Sequence, residues 1–448
     1  MSGHADPLSR PLRLPCGAVL DNRLAKAAMT EGIADAGNRA TAAHARLYER
    51  WARGGAGLNI SGNVMVDRDH LERPGNVVID SAEVSPALRA WARAGTRSSG
   101  HLWMQLGHAG RQTPRSVNPR PKGASAVPLR LAGQFGTVEP YSHAEIVRLV
   151  GHFARAARVA REAGFSGVQV HAAHGFLISQ FLSSHLNRRN DRWGGSLANR
   201  ARLLLEVIGA VRDTVGPGFP VSVKLNSTDF QRGGFTFEEC LQVVRWLNAA
   251  GVDLLEVTGG NYERPAMVGH ERTSGGAVDA PSERTRGREA YFLDYAQRIR
   301  AIARMPVMVT GGFRTRAFMA AALDRGELDL VGLARPLIAD PDLPAKLLSG
   351  RSVQAPSVER SLVPASRLLG PKSPLALVRL INIQGQQGWF YHQLRRLAAG
   401  REPAPRLGVL GGMASHLFNE RRAALAVRAF RTARPPRAWR LKEKVRGQ

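Results

Sequence analysis

GVQVHAAHGFLISQFLSSHLNRRNDRWGGSLANRARLLLEVI, residues 167–208, is the stretch from which the fold can be read. Val168 and Val170 alternate with Gln169, the period of a β-strand, and the alternation stops at His171. Ala172-Ala173-His174-Gly175 then turns the chain, leaving two histidines three apart at the C-terminal mouth of that strand, where α/β enzymes keep their chemistry. Leu203, Leu204, Val207, Ile208 and Val211 recur at helical spacing beyond the turn. The whole is one strand–loop–helix unit. On spacing alone a histidine at a strand end is more often structural than catalytic, so both readings stay open for His171 and His174.

Working outward, the same unit recurs. Residues 23–30 read as a first strand and 41–53 as its helix, which Gly54-Gly55 ends. Strand 57–66 with helix 86–98 and strand 101–105 follow. Ile146, Leu149, Phe153, Ala157 and Ala160 mark the helix leading into the strand at Gly167. Downstream, strands at 220–226, 253–258, 306–310 and 329–333 alternate with helices at 238–250, 290–304 and 316–325. Two excursions interrupt the rhythm. Residues 112–142 hold five prolines and three glycines without apolar periodicity, and 259–288 are rich in Gly, Arg, Glu and Ser. Eight such units predict an α/β fold, a (β/α)8 TIM barrel over residues 1–350. Residues 351–448 read as a linker to 373, a helix over 375–399, and an Arg-rich helical remainder against the barrel.

With 448 residues, 44% of them hydrophobic and 22% charged, the chain can bury a large core. The opening residues lack the apolar centre of a signal peptide and no run of eighteen apolar residues occurs, so a cytoplasmic location and no membrane partner are expected. Cys16 and Cys240 are too few for a zinc or iron–sulfur site, so no metal is expected. Lys plus Arg number 63 against 36 Asp plus Glu, a net charge of +27. The end is densest: residues 421–448 carry ten basic residues and one acid, Glu443. A solvated helix face is the preferred reading of that tail over a polyanion-binding one, and no nucleic-acid partner is expected.

If the barrel forms, ligands belong at the C-terminal ends of its strands. The seventh and eighth end in Gly311-Gly312 and Ala334-Arg335. Glycines let backbone N–H groups approach a phosphate, and an arginine on the next loop offers it two donors. A tight turn would account for the glycines equally well.

His171-Ala-Ala-His174-Gly175, Gln180-Phe-Leu, Asn187-x-Arg189-x-Asp191, Gly194-Gly195-Ser196 and Asn199-Arg200 together resemble the signature of the Old Yellow Enzyme family of FMN-dependent oxidoreductases. The likeness covers about residues 10–350. It departs from the family at Phe176, where most members have a proton-donating tyrosine, and at Ala198, where a glutamate is usual. The resemblance implies FMN as cofactor and NADH or NADPH as electron donor. It implies that Ala27, Ala28, Met29 and Thr30 lie along the flavin ring, that Gly62 leaves room for it, and that Gln105 and Lys224 meet its pyrimidine edge. Gly311, Gly312, Ala334 and Arg335 would bind the phosphate. His171 and His174 would donate hydrogen bonds to a substrate carbonyl. Read without the resemblance, Gln105 could cap a strand and Lys224 could pair with Asp253 or Glu256.

The expected function is reduction of the C=C bond of electron-poor small molecules, with water or Tyr262 supplying the proton that Phe176 cannot. An FMN-dependent dehydrogenase or oxidative demethylase, or a silent flavoprotein with a polyanion-binding tail, remain the alternatives. A homo-oligomer is left open.

Overall fold

A computed structural model describes residues 6–97, 100–129, 133–261, 263, 290–362, 368, 370 and 373–433. Its centre is eight parallel strands: β1 (Leu24–Lys26), β2 (Leu58–Met65), β3 (His101–Gly107), β4 (Gly167–Ala172), β5 (Val221–Asn226), β6 (Leu254–Thr258), β7 (Val307–Thr310) and β8 (Leu330–Leu333). Each pairs with the next, and β1 pairs with both β8, through Val331↔Leu24, and β2, through Ala25↔Leu58. That last pairing closes the sheet. The predicted (β/α)8 barrel is therefore the observed architecture.

Alternation along the strands sorts the side chains into two environments. Val168 and Val170 on β4, and Val221, Val223 and Leu225 on β5, join the main hydrophobic core shared with the helices. Their alternates Gln169, His171, Ser222 and Lys224 lie on the opposite, barrel-interior face and are buried as well. The N-terminal end of the barrel is plugged by an antiparallel pair, Leu12–Arg13 with Val19–Leu20. Leu12 and Leu20 cluster there with Ala25, Leu58, Leu254 and Leu330. Polar interior residues are thus confined to the upper layers, toward the C-terminal mouth.

The outer helices are α1 (Ala42–Ala52), α2 (Pro86–Gly95), α3 (His143–Ala163), α4 (Leu197–Val215), α5 (Phe237–Leu247), α6 (Leu293–Arg300) and α7 (Arg316–Asp324). Sequence sets their ends. For α3, Ser142 caps the first turn in a capping box with Glu145, and Gly164 ends the helix at φ 97°. Two expected elements come out differently. The first strand stops at Lys26 rather than 30, because beyond Ala27, whose N–H still bonds Leu333 O at 2.8 Å, the chain leaves the ladder. Residues 112–142 are not wholly irregular: Lys122–Gly123 pairs with Glu139–Pro140. Of the second excursion, residues 262 and 264–288 lie outside the described residues.

The extension supplies α8 (Ala376–Ala398) and α9 (Val409–Ala433). The two approach closely because Gly388 and Gly412 meet at the crossing: a Cβ on Gly388 would stand 2.3 Å from the Gly412 carbonyl oxygen. Trp389, Phe390, Leu394 and Leu397 of α8 belong to the same core cluster as the barrel helices, and Arg46 of α1 donates to Ala398 O at 2.9 Å. From α9, Glu420 pairs with Arg73 at 2.9 Å and Arg431 donates to Val117 O. Arg421, Arg422 and Arg428 are exposed, while residues 434–448 lie outside the described residues. Among the described residues no helix is long and apolar enough to cross a membrane.

Candidate active site

At the C-terminal mouth a pocket is lined by Ala28, Thr30, Gln105, His171, His174 and Lys224. They arrive from four strands or the segments after them, Ala28 and Thr30 beyond β1, Gln105 on β3, His171 and His174 at the end of β4 and Lys224 on β5, and the interior register aligns their neighbours. Gln105 Nε2 donates to Gln169 Oε1 at 2.7 Å, and Gln169 Nε2 donates to Glu256 at 2.9 Å. Lys224 Nζ bonds Glu256 Oε1 at 2.8 Å, and the Thr310 hydroxyl donates to the same oxygen at 2.7 Å. Glu256 is fully buried, so its charge is offset by the ammonium beside it. Of the two partners left open for Lys224, the structure selects Glu256; Asp253 pairs with Arg212.

The histidines form a bonded row. His171 Nδ1 lies 2.8 Å from Asn63 Oδ1, His171 Nε2 lies 3.2 Å from His174 Nδ1, and His174 Nε2 lies 2.9 Å from Thr258 Oγ1. Burial first, and the nearby charge of Lys224 second, hold both imidazoles well below the usual histidine pKa. Both rings are therefore neutral. Asn63 turns its N–H2 toward Glu72 and Thr30, so its oxygen meets a protonated His171 Nδ1. His174 sits at φ 60°, a left-handed conformation that its backbone N–H, bonded to Asn226 Oδ1, helps to hold.

Seven expected residues lie off this pocket. Ala27 is part of the barrel interior, and Ala334 borders the same cluster. Met29 packs against the outer core. At Gly62 a side chain would strike Met29 O at 2.5 Å and the Thr30 Cα at 2.7 Å, so the missing Cβ admits the neighbouring backbone. Gly311, Gly312 and Arg335 stand at the tips of β7 and β8.

Three lining residues were not singled out in the sequence. Asn63 and Glu72 join Thr30 in a small network: Thr30 Oγ1 donates to Glu72 Oε2 at 2.6 Å, and Asn63 Nδ2 donates to that oxygen at 2.8 Å. The third is Tyr391, which comes from α8. Phe176 also lines the pocket, its ring 4.3 Å from that of His171. No local pattern announces these residues, since each reaches the pocket by tertiary approach. Tyr262 lies outside the described residues.

Next to the mouth, Asp67, His70 and His108 bring their ligand atoms within 4.8 Å of one another. Their atoms are already engaged: His70 bonds Asp67 and accepts from Lys122 N, and His108 bonds Gly110 N and the Tyr141 hydroxyl. Burial lowers His108 to about 4, and it does the same to His44 and His416. In the unfolded chain these rings take up protons near pH 6.5, while the native rings stay neutral until about pH 4. Their contribution is thus fully present above pH 6.5 and is lost on acidification. Each is expected to remove about 1.4 kcal/mol of stability per pH unit below 6.5. Unfolding midpoints measured from pH 7.5 to 4.5 should fall steeply; a flat profile would contradict the buried neutral state.

Residues 7–354 match the NADH:flavin oxidoreductase / NADH oxidase family. The chain belongs to that family. The chain is 38% identical to the NADH-dependent flavin oxidoreductase iliE of Neonectria sp. (strain DH2), over 78% of this chain and 48% of the relative, so it spans about half of that protein. It is 35% identical to the NADH-dependent flavin oxidoreductase iccE of Talaromyces variabilis, over 87% of this chain and 98% of the relative. The old yellow enzyme homologue from Zymomonas mobilis superposes with a TM-score of 0.65 at 26% identity, covering 78% of this chain and 94% of that one.

As a member of the NADH:flavin oxidoreductase family the chain is an enzyme whose cofactor is FMN, and its own residues fit that group. Gly311 and Gly312 have φ of 119° and 86°, and a Cβ on Gly312 would lie 2.7 Å from Ala290 N, so only glycine fits there. Arg335, half-buried across from them, lies over the Phe390 ring at 5.9 Å. Glu359, whose charge acts on it, is paired with Arg314. A guanidinium that has no carboxylate of its own among the described residues, beside a glycine turn, suits a phosphate.

Proposed function

We propose that this enzyme takes electrons from NADH or NADPH and delivers them to the C=C bond of an electron-poor alkene, an α,β-unsaturated carbonyl compound. The observation that carries the reading is the pair of neutral imidazoles with facing nitrogens 3.2 Å apart on the pocket wall. In this reading Ala27, Ala28, Met29 and Thr30 follow the flavin ring, with Gly62 keeping that segment close. Gln105 and Lys224 meet its pyrimidine edge, and Gly311, Gly312, Ala334 and Arg335 hold the phosphate.

Bound FMN supplies the hydride that adds to the alkene's β-carbon. Charge then accumulates on the carbonyl oxygen, and fixed N–H donors there lower the barrier. An oxygen seated before the pair takes the Nδ1–H of His174. His171, whose proton is held on Nδ1 by the Asn63 oxygen, would add a second donor only if the Asn63 amide gave up Glu72 and Thr30 and turned its N–H2 toward Nδ1, which moves the ring proton to Nε2. Lys224 sits where a cation stabilises negative charge gained by the ring on reduction.

The experiment is anaerobic stopped-flow reduction of the holoenzyme by each nicotinamide, then reoxidation by a panel of enones and amines. Reoxidation by enones well above that by saturated ketones is the expected result. Rapid reduction with no enone response, or with electrons drawn from amines instead, would overturn the reading.

A further inference from the structure

The expectation that the barrel holds all the chemistry overlooks what α8 brings to it. Phe390 lies against Arg335 at the phosphate end of the site, and the next residue, Tyr391, lines the histidine pocket. Consecutive residues of the extension thus touch both ends of the site. Resting on the alkene-reductase reading above, we propose that Tyr391 is the proton donor of the reduction, a phenol brought by α8 to the pocket in which Phe176 has none.

Two groups pack on the phenol ring. The Arg73 guanidinium carbon stands 3.6 Å from the ring centroid, and the His416 ring stacks at 5.2 Å with an 8° tilt. Arg73 is in turn fixed by Glu420 at 2.9 Å. Such a clamp costs buried charge and aromatic surface, and it fixes where the hydroxyl points. Among the described residues no hydrogen bond engages that hydroxyl. Burial, partly offset by the Arg73 charge, raises the phenol to about 12, so the group is protonated at neutral pH.

The other lining groups have their protons committed. The Thr30 hydroxyl donates to Glu72 Oε2, which also accepts from Asn63 Nδ2. Lys224 is paired with Glu256, and Phe176 has no acidic proton. His171 and His174 serve the carbonyl oxygen. The balance is simple: once hydride has reached the β-carbon, the enolate's electron pair forms the α-C–H bond, the Tyr391 O–H bond breaks, and water restores the phenol's proton.

Three holoenzyme variants test this: Tyr391→Phe, Phe176→Tyr and the two combined. Reduction by NADH and reoxidation by an enone are followed separately, and the enone Kd is read from the flavin absorbance of the oxidised protein. Tyr391→Phe is expected to slow reoxidation at least tenfold while reduction and Kd stay within twofold, and the double variant to recover most of the loss. Equal reoxidation in wild type and Tyr391→Phe overturns the proposal, as does a loss that merely tracks weaker binding. Should the clamp tolerate no change, 3-fluorotyrosine at position 391 keeps the ring and lowers its pKa; the alkaline limb of the reoxidation profile should move to lower pH, and an unmoved limb overturns the assignment. A wild type that NADH reduces but that reduces no enone would instead sink the parent reading.

Discussion

Replacing His171 or His174 by alanine is expected to slow reoxidation of the reduced enzyme by an enone about 10²–10³-fold, without emptying the protein of flavin. The estimate is the worth of one preorganised donor aimed at developing oxyanion charge, about 3–4 kcal/mol of transition-state stabilisation. Both rings are neutral, so what they give is dipole and proton position rather than charge. The two positions differ in backbone. His171 is in regular β4, so alanine there removes the ring with its bonds to Asn63 and His174 and leaves the backbone unstrained. His174 is at φ 60°, where histidine and asparagine are tolerated far better than most residues. His174→Asn keeps both the conformation and an N–H donor, and should retain activity within about tenfold of wild type on that account. His174→Ala should lose the rate and some thermal stability together. Single-turnover reoxidation and thermal unfolding of the three variants separate these outcomes. If His174→Asn is as slow as His174→Ala, donation from position 174 is not what matters.

Much of the barrel was legible because each buried strand has its own pattern. Val168 with Val170, and Val221 with Val223 and Leu225, face the helices, so the polar residues between them must face inward. His171 and Lys224 could then be placed at strand tips without coordinates. The pairing of Lys224 with Glu256 was foreseeable in kind, since β5 and β6 are neighbours and the register sets the two residues side by side. Residues 27–30 were misread as strand because alanine and methionine there look like core, whereas the chain has already left the ladder.

The missing parts of the site fail to show in sequence for a different reason. Asn63 and Glu72 matter through one another and through Thr30, a meeting produced by folding and not by spacing. Tyr391 sits in a helix whose apolar residues, Leu394 and Leu397 among them, read as core. An aromatic there is ordinarily packing, and only the docking of α8 on the barrel makes it part of the pocket.

Lys224→Met should cost the folded protein about 3–5 kcal/mol, because it leaves the charge of Glu256 buried with only hydrogen bonds from Thr310 and Gln169 to hold it. Removing both charges in Lys224→Met/Glu256→Gln should return most of that stability, since the uncompensated ion is then gone. Function is expected to behave otherwise. In the proposed arrangement a cation at this place would favour the negative charge that the flavin gains on reduction, so both variants should show a lower flavin midpoint potential and slower reduction by NADH. The histidines respond as well: the Lys224 charge is one of the causes holding both pKa values down, and its loss should let them rise. Urea unfolding together with a spectroelectrochemical titration distinguishes the two roles of the lysine. A double variant that regains both stability and potential would reduce Lys224 to the partner of Glu256. One that regains stability alone assigns the ammonium to the cofactor.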